Sequence, residues 1–147
     1  MLETEKDNAI AKAINLLHDY SEFMPELINL QTLDIALFQD LREAIGDDLI
    51  FSDIVTIYLN SAENLMDEIQ DAFTDQDAHK FAIASHSLKS TSASIGATRL
   101  SQISKHLEKA SKTGEITVSA DILHLLNNEY TEVIKAIQIL ILEFMAQ

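Results

Sequence analysis

The chain has 147 residues, 47% of them apolar, and 10 basic against 24 acidic side chains give a net charge of −14. That is one domain with enough apolar material for a core, and a surface that repels nucleic acid and anionic membranes at long range. Cysteine is absent, which excludes disulfides, thiolate metal sites and cysteine nucleophiles. Only three glycines and one proline occur, where average usage gives roughly ten and seven. So few breakers leave little material for tight β-turns and predict a chain that is nearly all helix. No apolar run approaches the ~18 residues of a membrane span. The N-terminus, MLETEKDNAI, lacks the basic and apolar regions of a signal peptide, so a cytoplasmic location is expected.

In chain order, the first amphipathic segment covers roughly residues 4–20, with Ile10, Ile14 and Leu17 at helical spacing and Pro25 as its stop. Leu33 to Ile45 makes a short helix, capped by Thr32 or Asp34 and closed by Gly46. A long third segment runs from about Asp47 to Phe73, with Ile50, Ile54, Ile57, Leu65, Ile69 and Phe73 at three- and four-residue intervals as its apolar stripe. Thr74-Asp75-Gln76-Asp77 supplies a turn and an acidic start for a fourth helix that ends near Ile95. Gly96 is the natural left-handed cap there, and a fifth helix continues to Gly114. The last starts near Ser119 and carries Ile122, Leu125, Leu126, Val133, Ile137 and Leu140. Short connections force antiparallel neighbours. The predicted fold is all-α: an antiparallel up-down four-helix bundle (residues 31–147) with additional N-terminal helices in an extension over residues 1–30.

Charge is unevenly placed. Residues 1–78 hold 18 acids and three bases, whereas residues 79–113 hold six bases and one acid, Glu108. A basic island inside an acidic protein is read either as solvating lysines or as a partner surface.

Phosphate-cradling GxxxxGK[ST] loops, GxSxG elbows and HExxH pairs are all missing, and neither a metal nor a cofactor is expected. His18 and Glu22 lie four apart beside a proline break, a poor metal site, and the Glu-x-x-His pairs of a di-iron bundle do not occur. The histidines are His18, His79, His86, His106 and His124.

The fourth helix separates two faces at ~100° per residue. With Phe81 at zero, Ala82, Ala84, Ser85, Leu88, Ser92 and Ile95 fall within about 100° and form the buried stripe. His86 falls near 140°, outside that stripe, with the small residues Ala82, Ser90 and Ala93 a turn to either side. Lys89, three residues on, reaches an anion placed on the ring. An exposed, unobstructed imidazole beside a cation has what a phosphorylatable histidine needs. Spacing alone favours a solvent-facing histidine with an ordinary lysine neighbour.

The stretch Ser85-His86-Ser87-Leu88-Lys89-Ser90-Thr91-Ser92-Ala93-Ser94-Ile95-Gly96-Ala97, followed by Leu100, resembles the signature of histidine-containing phosphotransfer (HPt) domains. That pattern is His-x-Leu-Lys-Gly, small residues, then Ile/Val-Gly-Ala and a Leu. The likeness extends over about residues 31–142 and includes Asp47-Asp48, the Asp77–Phe81 segment and Leu107-Glu108. One position departs from it: Ser90 stands where glycine is common, which keeps a small side chain and implies slightly altered partner affinity.

The resemblance implies a phosphorelay intermediate that takes a phosphoryl group onto His86 from a receiver-domain aspartate and passes it to another receiver. Lys89 would stabilise the phosphoryl oxygens, and Ala82, Ser90 and Ala93 would permit close approach. Ile83 is a candidate docking contact, and Gly96 the structural turn. The Mg²⁺ of such transfers would belong to the receiver. Expected partners are receiver domains of response regulators and of a hybrid sensor histidine kinase, and the chain is expected to be a monomer. Without an ATP-binding domain it should not autophosphorylate.

The alternative is a non-catalytic helical module that sequesters a regulator. A dimerising kinase stub fits worse, because Ser87 follows His86 and the only proline is Pro25. His106-x-x-Lys109 repeats the spacing without the small residues, and reads as an exposed or groove-lining histidine. His18, His79 and His124 read as structural or surface.

Overall fold

The computed structural model describes residues 4–7, 10, 27 and 29–146. From residue 30 onward lie five helices: α1 (Ile35–Ile45), α2 (Asp48–Thr74), α3 (Ala78–Ile95), α4 (Thr98–Lys109) and α5 (Ala120–Ala146). The first segment's Ile14, Leu17, His18 and Pro25 lie outside the described residues. Residues 4–7 are helical and exposed, and Ile10 is half exposed.

The helix starts follow from acidic caps. Asp34, Asp47 and Asp77 each sit in extended backbone and accept hydrogen bonds from amides of the first turns of α1, α2 and α3. Gly46 and Gly96 close α1 and α3 at φ +72° and +92°, a region in which only glycine is unstrained. The fifth predicted helix is shorter than expected. It stops at Lys109 instead of reaching Gly114, because the amide and hydroxyl of Thr117 bond the Ala110 carbonyl and fold the chain away.

Helices α2 to α5 form the antiparallel four-helix bundle. Its centre holds Phe81 and Leu88 of α3, Leu100, Ile103 and Leu107 of α4, and Ile122, Leu126 and Ile137 of α5, all essentially buried. Helix α1 closes one end. Phe38 inserts its ring edge-on to Phe51 at 5.0 Å and stacks on Phe144 at 6.1 Å, tying the start of α2 to the end of α5. Each such ring contributes about 1.5–3 kcal/mol by burial.

The first half of the expected stripe of α2 is displaced by about one residue, whereas its second half holds: Ile69 is buried and Leu65 and Phe73 pack partly buried against the core. Phe51, Val55, Tyr58, Ala62, Met66, Ile69 and Ala72 are buried, whereas Ile50, Ile54 and Ile57 are 52%, 43% and 67% exposed. Both sets have helical spacing, but extending Ile50, Ile54 and Ile57 in step reaches Ser61 and Glu68, and the expected stripe meets the core only from Leu65 and Ile69 onward. The Phe51 register stays apolar over the whole helix and carries two aromatic rings, so it takes the core. The Tyr58 hydroxyl bonds Ser92 Oγ at 2.8 Å, joining α2 to α3, and burial pushes the phenol up to about 12.

The turn after α3 is where separate segments meet. The Gly96 carbonyl accepts the Asp34 amide at 2.8 Å, and a Cβ at Gly96 would lie 3.2 Å from the Asp34 carbonyl oxygen. The Thr98 hydroxyl donates to the Gln31 carbonyl, and Arg99 donates to the Leu30 carbonyl and Thr32 Oγ1. The strand of chain leading into α1 is thereby fixed to the start of α4.

Candidate functional site

Helix α3 buries Phe81, Ala84, Ser85, Leu88, Ser92 and Ile95, leaving His86 on its outer side. The His86 side chain is 59% exposed. Ile83 is exposed at 54%, Ser90 and Ala93 are exposed, and Ala82 is half-buried at the seam rather than in the core stripe. Apart from Lys89, the neighbours one turn away on the same helix are Ala82, Ile83 and Ser90.

The seam with α4 supplies what spacing did not. Ser101 Oγ donates to the Lys89 carbonyl at 2.8 Å, setting the register of the two helices. Two turns further along α4, Glu108 faces His86. Its Oε1 is 3.0 Å from His86 Nδ1, and its Oε2 accepts from Lys89 Nζ at 2.8 Å. One carboxylate therefore holds both side chains. Lys89, expected to reach an anion on the ring, is here clasped by Glu108, and its side chain is 29% exposed.

The Lys89 ammonium, with the His86 bond adding to it, keeps the Glu108 carboxyl below the usual carboxylate range. An ionised carboxylate only accepts, so the proton at the His86–Glu108 contact belongs to Nδ1. The neutral ring then carries its free lone pair on Nε2, the nitrogen remote from the clasp. A positioned neutral nitrogen with a cation at its side suits in-line attack on phosphorus.

His79 and His124 are on the surface, and His106 is half-buried on α4. Sequence reasoning missed Glu108 as a site residue, although it is the lone acid of the basic island. That isolation was the available signal.

A family model described as the Hpt domain matches residues 53–136, more than half of the chain. The chain belongs to the Hpt domain family. It is a histidine phosphotransfer protein of the phosphorelay type; Hpt domains are phosphotransfer modules rather than kinases, and they interact with receiver domains. Its fold is similar to that of histidine-containing phosphotransfer protein B from Pseudomonas aeruginosa PAO1, with a TM-score of 0.66 and 22% identity over 76% of this chain and 92% of that one. It is also similar to the HPT domain of a sensor hybrid histidine kinase from Shewanella, with a TM-score of 0.58 and 20% identity over 76% and 95%. At these identities the likeness is one of fold. No curated protein matches the sequence. No helix among the described residues is long and apolar enough to cross a membrane.

Proposed function

We propose that His86 of this Hpt protein accepts the phosphoryl group from a receiver aspartate and hands it to a second receiver. The observation that carries this reading is the clasp: an exposed imidazole whose Nδ1 is held by a carboxylate that also holds Lys89. In the forward step Nε2 attacks phosphorus in line. The N–P bond forms as the acyl P–O bond breaks, and the aspartate leaves as a carboxylate. The Nδ1 proton stays in place, so the ring becomes a cation, which the adjacent Glu108 charge stabilises. Lys89 turns from Glu108 toward the phosphoryl oxygens. The second transfer is the reverse reaction on another aspartate, and any Mg²⁺ belongs to the receiver.

Ala82, Ser90 and Ala93 let the partner's loops approach the ring, Ile83 offers an apolar contact, and Gly96 fixes the turn that ends α3. The phosphotransfer unit is residues 31–147, with residues 1–30 an extension, and it acts as a cytoplasmic monomer. The deciding experiment is label transfer from phosphorylated receivers to wild type and His86→Gln. Acid-labile, base-stable label on wild type alone supports the reading. Unchanged receiver binding and output with His86→Gln, and no label on wild type, support a sequestering module instead.

A further inference from the structure

The two flanks of the His86 helix carry opposite charge. On the α4 side, Lys105, Lys109 and Lys112 are exposed around Glu108. Lys105 lies three residues before it, which at ~100° per residue puts it within about 60° of the glutamate that touches His86, and Lys112 lies in the turn that follows the helix. Lys109 lies about 100° away, on the same outer side. On the α2 side a groove is lined by Glu68, Asp71 and Asp75 with Lys80 and Ile83 of α3, and the three acids are exposed. His86 thus sits on a boundary, its ring tied toward the basic flank.

Resting on the phosphotransfer reading, we infer that the α4 lysines are the steering face for receivers, which dock with the anionic rim of their phosphorylated aspartate leaning over α4 rather than α2. The occupant follows from charge. Whatever delivers a phosphoryl group to His86 brings an anion to this boundary, and only one flank attracts it. A long polyanion does not fit as well, since the strip is short and the remainder of the chain is strongly acidic. Attraction on one side and repulsion on the other set both encounter rate and orientation. Lys89, already neutralised by Glu108, adds little to the long-range field.

The test is stopped-flow association with a panel of isolated receiver domains, held in the phosphoaspartate-like state by beryllofluoride and Mg²⁺. Two charge reversals are compared: K105E/K109E/K112E on α4 and the turn after it, and E68K/D71K on α2. At about 10 mM salt, where charges act over ~30 Å, the lysine reversal is expected to slow association at least ~10-fold. The acid reversal is expected to leave it equal or faster. At about 1 M salt, where that reach is ~3 Å, the variants should converge.

Circular dichroism checks the fold, and K105Q/K109Q/K112Q serves if the reversal unfolds. A change under twofold at low salt, equal slowing by both reversals, or no binding by any receiver overturns the inference. Label transfer to His86, measured in parallel, separates the two claims. Charge-dependent binding without label sinks phosphotransfer and keeps the docking face. Label on wild type without a charge effect sinks the docking face alone.

Discussion

Two carboxylates face cations across helix seams in this molecule, and burial sends them opposite ways. Glu108 lies 2.8 Å from Lys89 and is 17% exposed in its side chain, and its carboxyl is held below the usual range. Glu129 on α5 is 7% exposed, its nearest Arg99 nitrogen is 3.7 Å away, and its Oε1 has no hydrogen-bond partner among the described residues. Desolvation there outweighs Thr32 and Arg99 and raises the carboxyl above the usual range. A close pair at a wet seam makes a charged clasp that can exchange partners. A looser pair in a dry seam makes a tie between α4, α5 and the segment before α1, and its charge is a strain on the fold.

The largest expected effect on the first cluster is His86→Gln, which should remove all phosphoryl label while leaving the melting temperature nearly unchanged. Residual acid-labile label on that variant would move the acceptor elsewhere. Lys89→Ala should slow transfer about 10–100-fold, the usual scale for losing one charged donor to a phosphoryl group, as rapid-quench kinetics would show. Glu108→Gln keeps the shape but not the charge, and should slow transfer about 10-fold through the loss of ring orientation and basicity. A rate equal to wild type would reduce Glu108 to a structural contact.

The second cluster should answer in stability instead. Arg99→Ala leaves Glu129 unpaired and frees the Leu30 and Thr32 contacts, with an expected loss of about 2–3 kcal/mol in urea unfolding and little change in transfer per folded molecule.

The finest test is pH. The lowered Glu108 carboxyl stabilises the fold above the unfolded-state range, near 4, and that contribution disappears as pH falls through its folded value. The raised Glu129 carboxyl has the opposite sign: it favours the fold at low pH and loses that contribution as pH rises through its folded value. Chemical unfolding from about pH 3 to 7 should therefore show Glu108→Gln falling behind wild type as pH rises, and Glu129→Gln gaining on it. Curves that run parallel would show that the two sites do not differ in this way.

Much of this was legible from residue order alone. Acidic caps before apolar runs, glycine at Gly46 and Gly96, and short connections determine helix boundaries locally, through hydrogen bonds within a few residues. The exposure of His86 was legible too, since it depends on the angle between His86 and Phe81 on one helix. What needed tertiary structure was any choice between equals or any contact across a seam. Two registers on α2 have the same period, and the core took the one that kept aromatic rings and stayed apolar to its end. Glu108 comes 22 residues after His86, and no local rule pairs them. Their meeting depends on how α3 and α4 slide against each other, which Ser101 and the tight turn at Gly96 decide. The sign of each carboxylate's shift likewise depends on the water left in its seam, a quantity that exists only once the helices have packed.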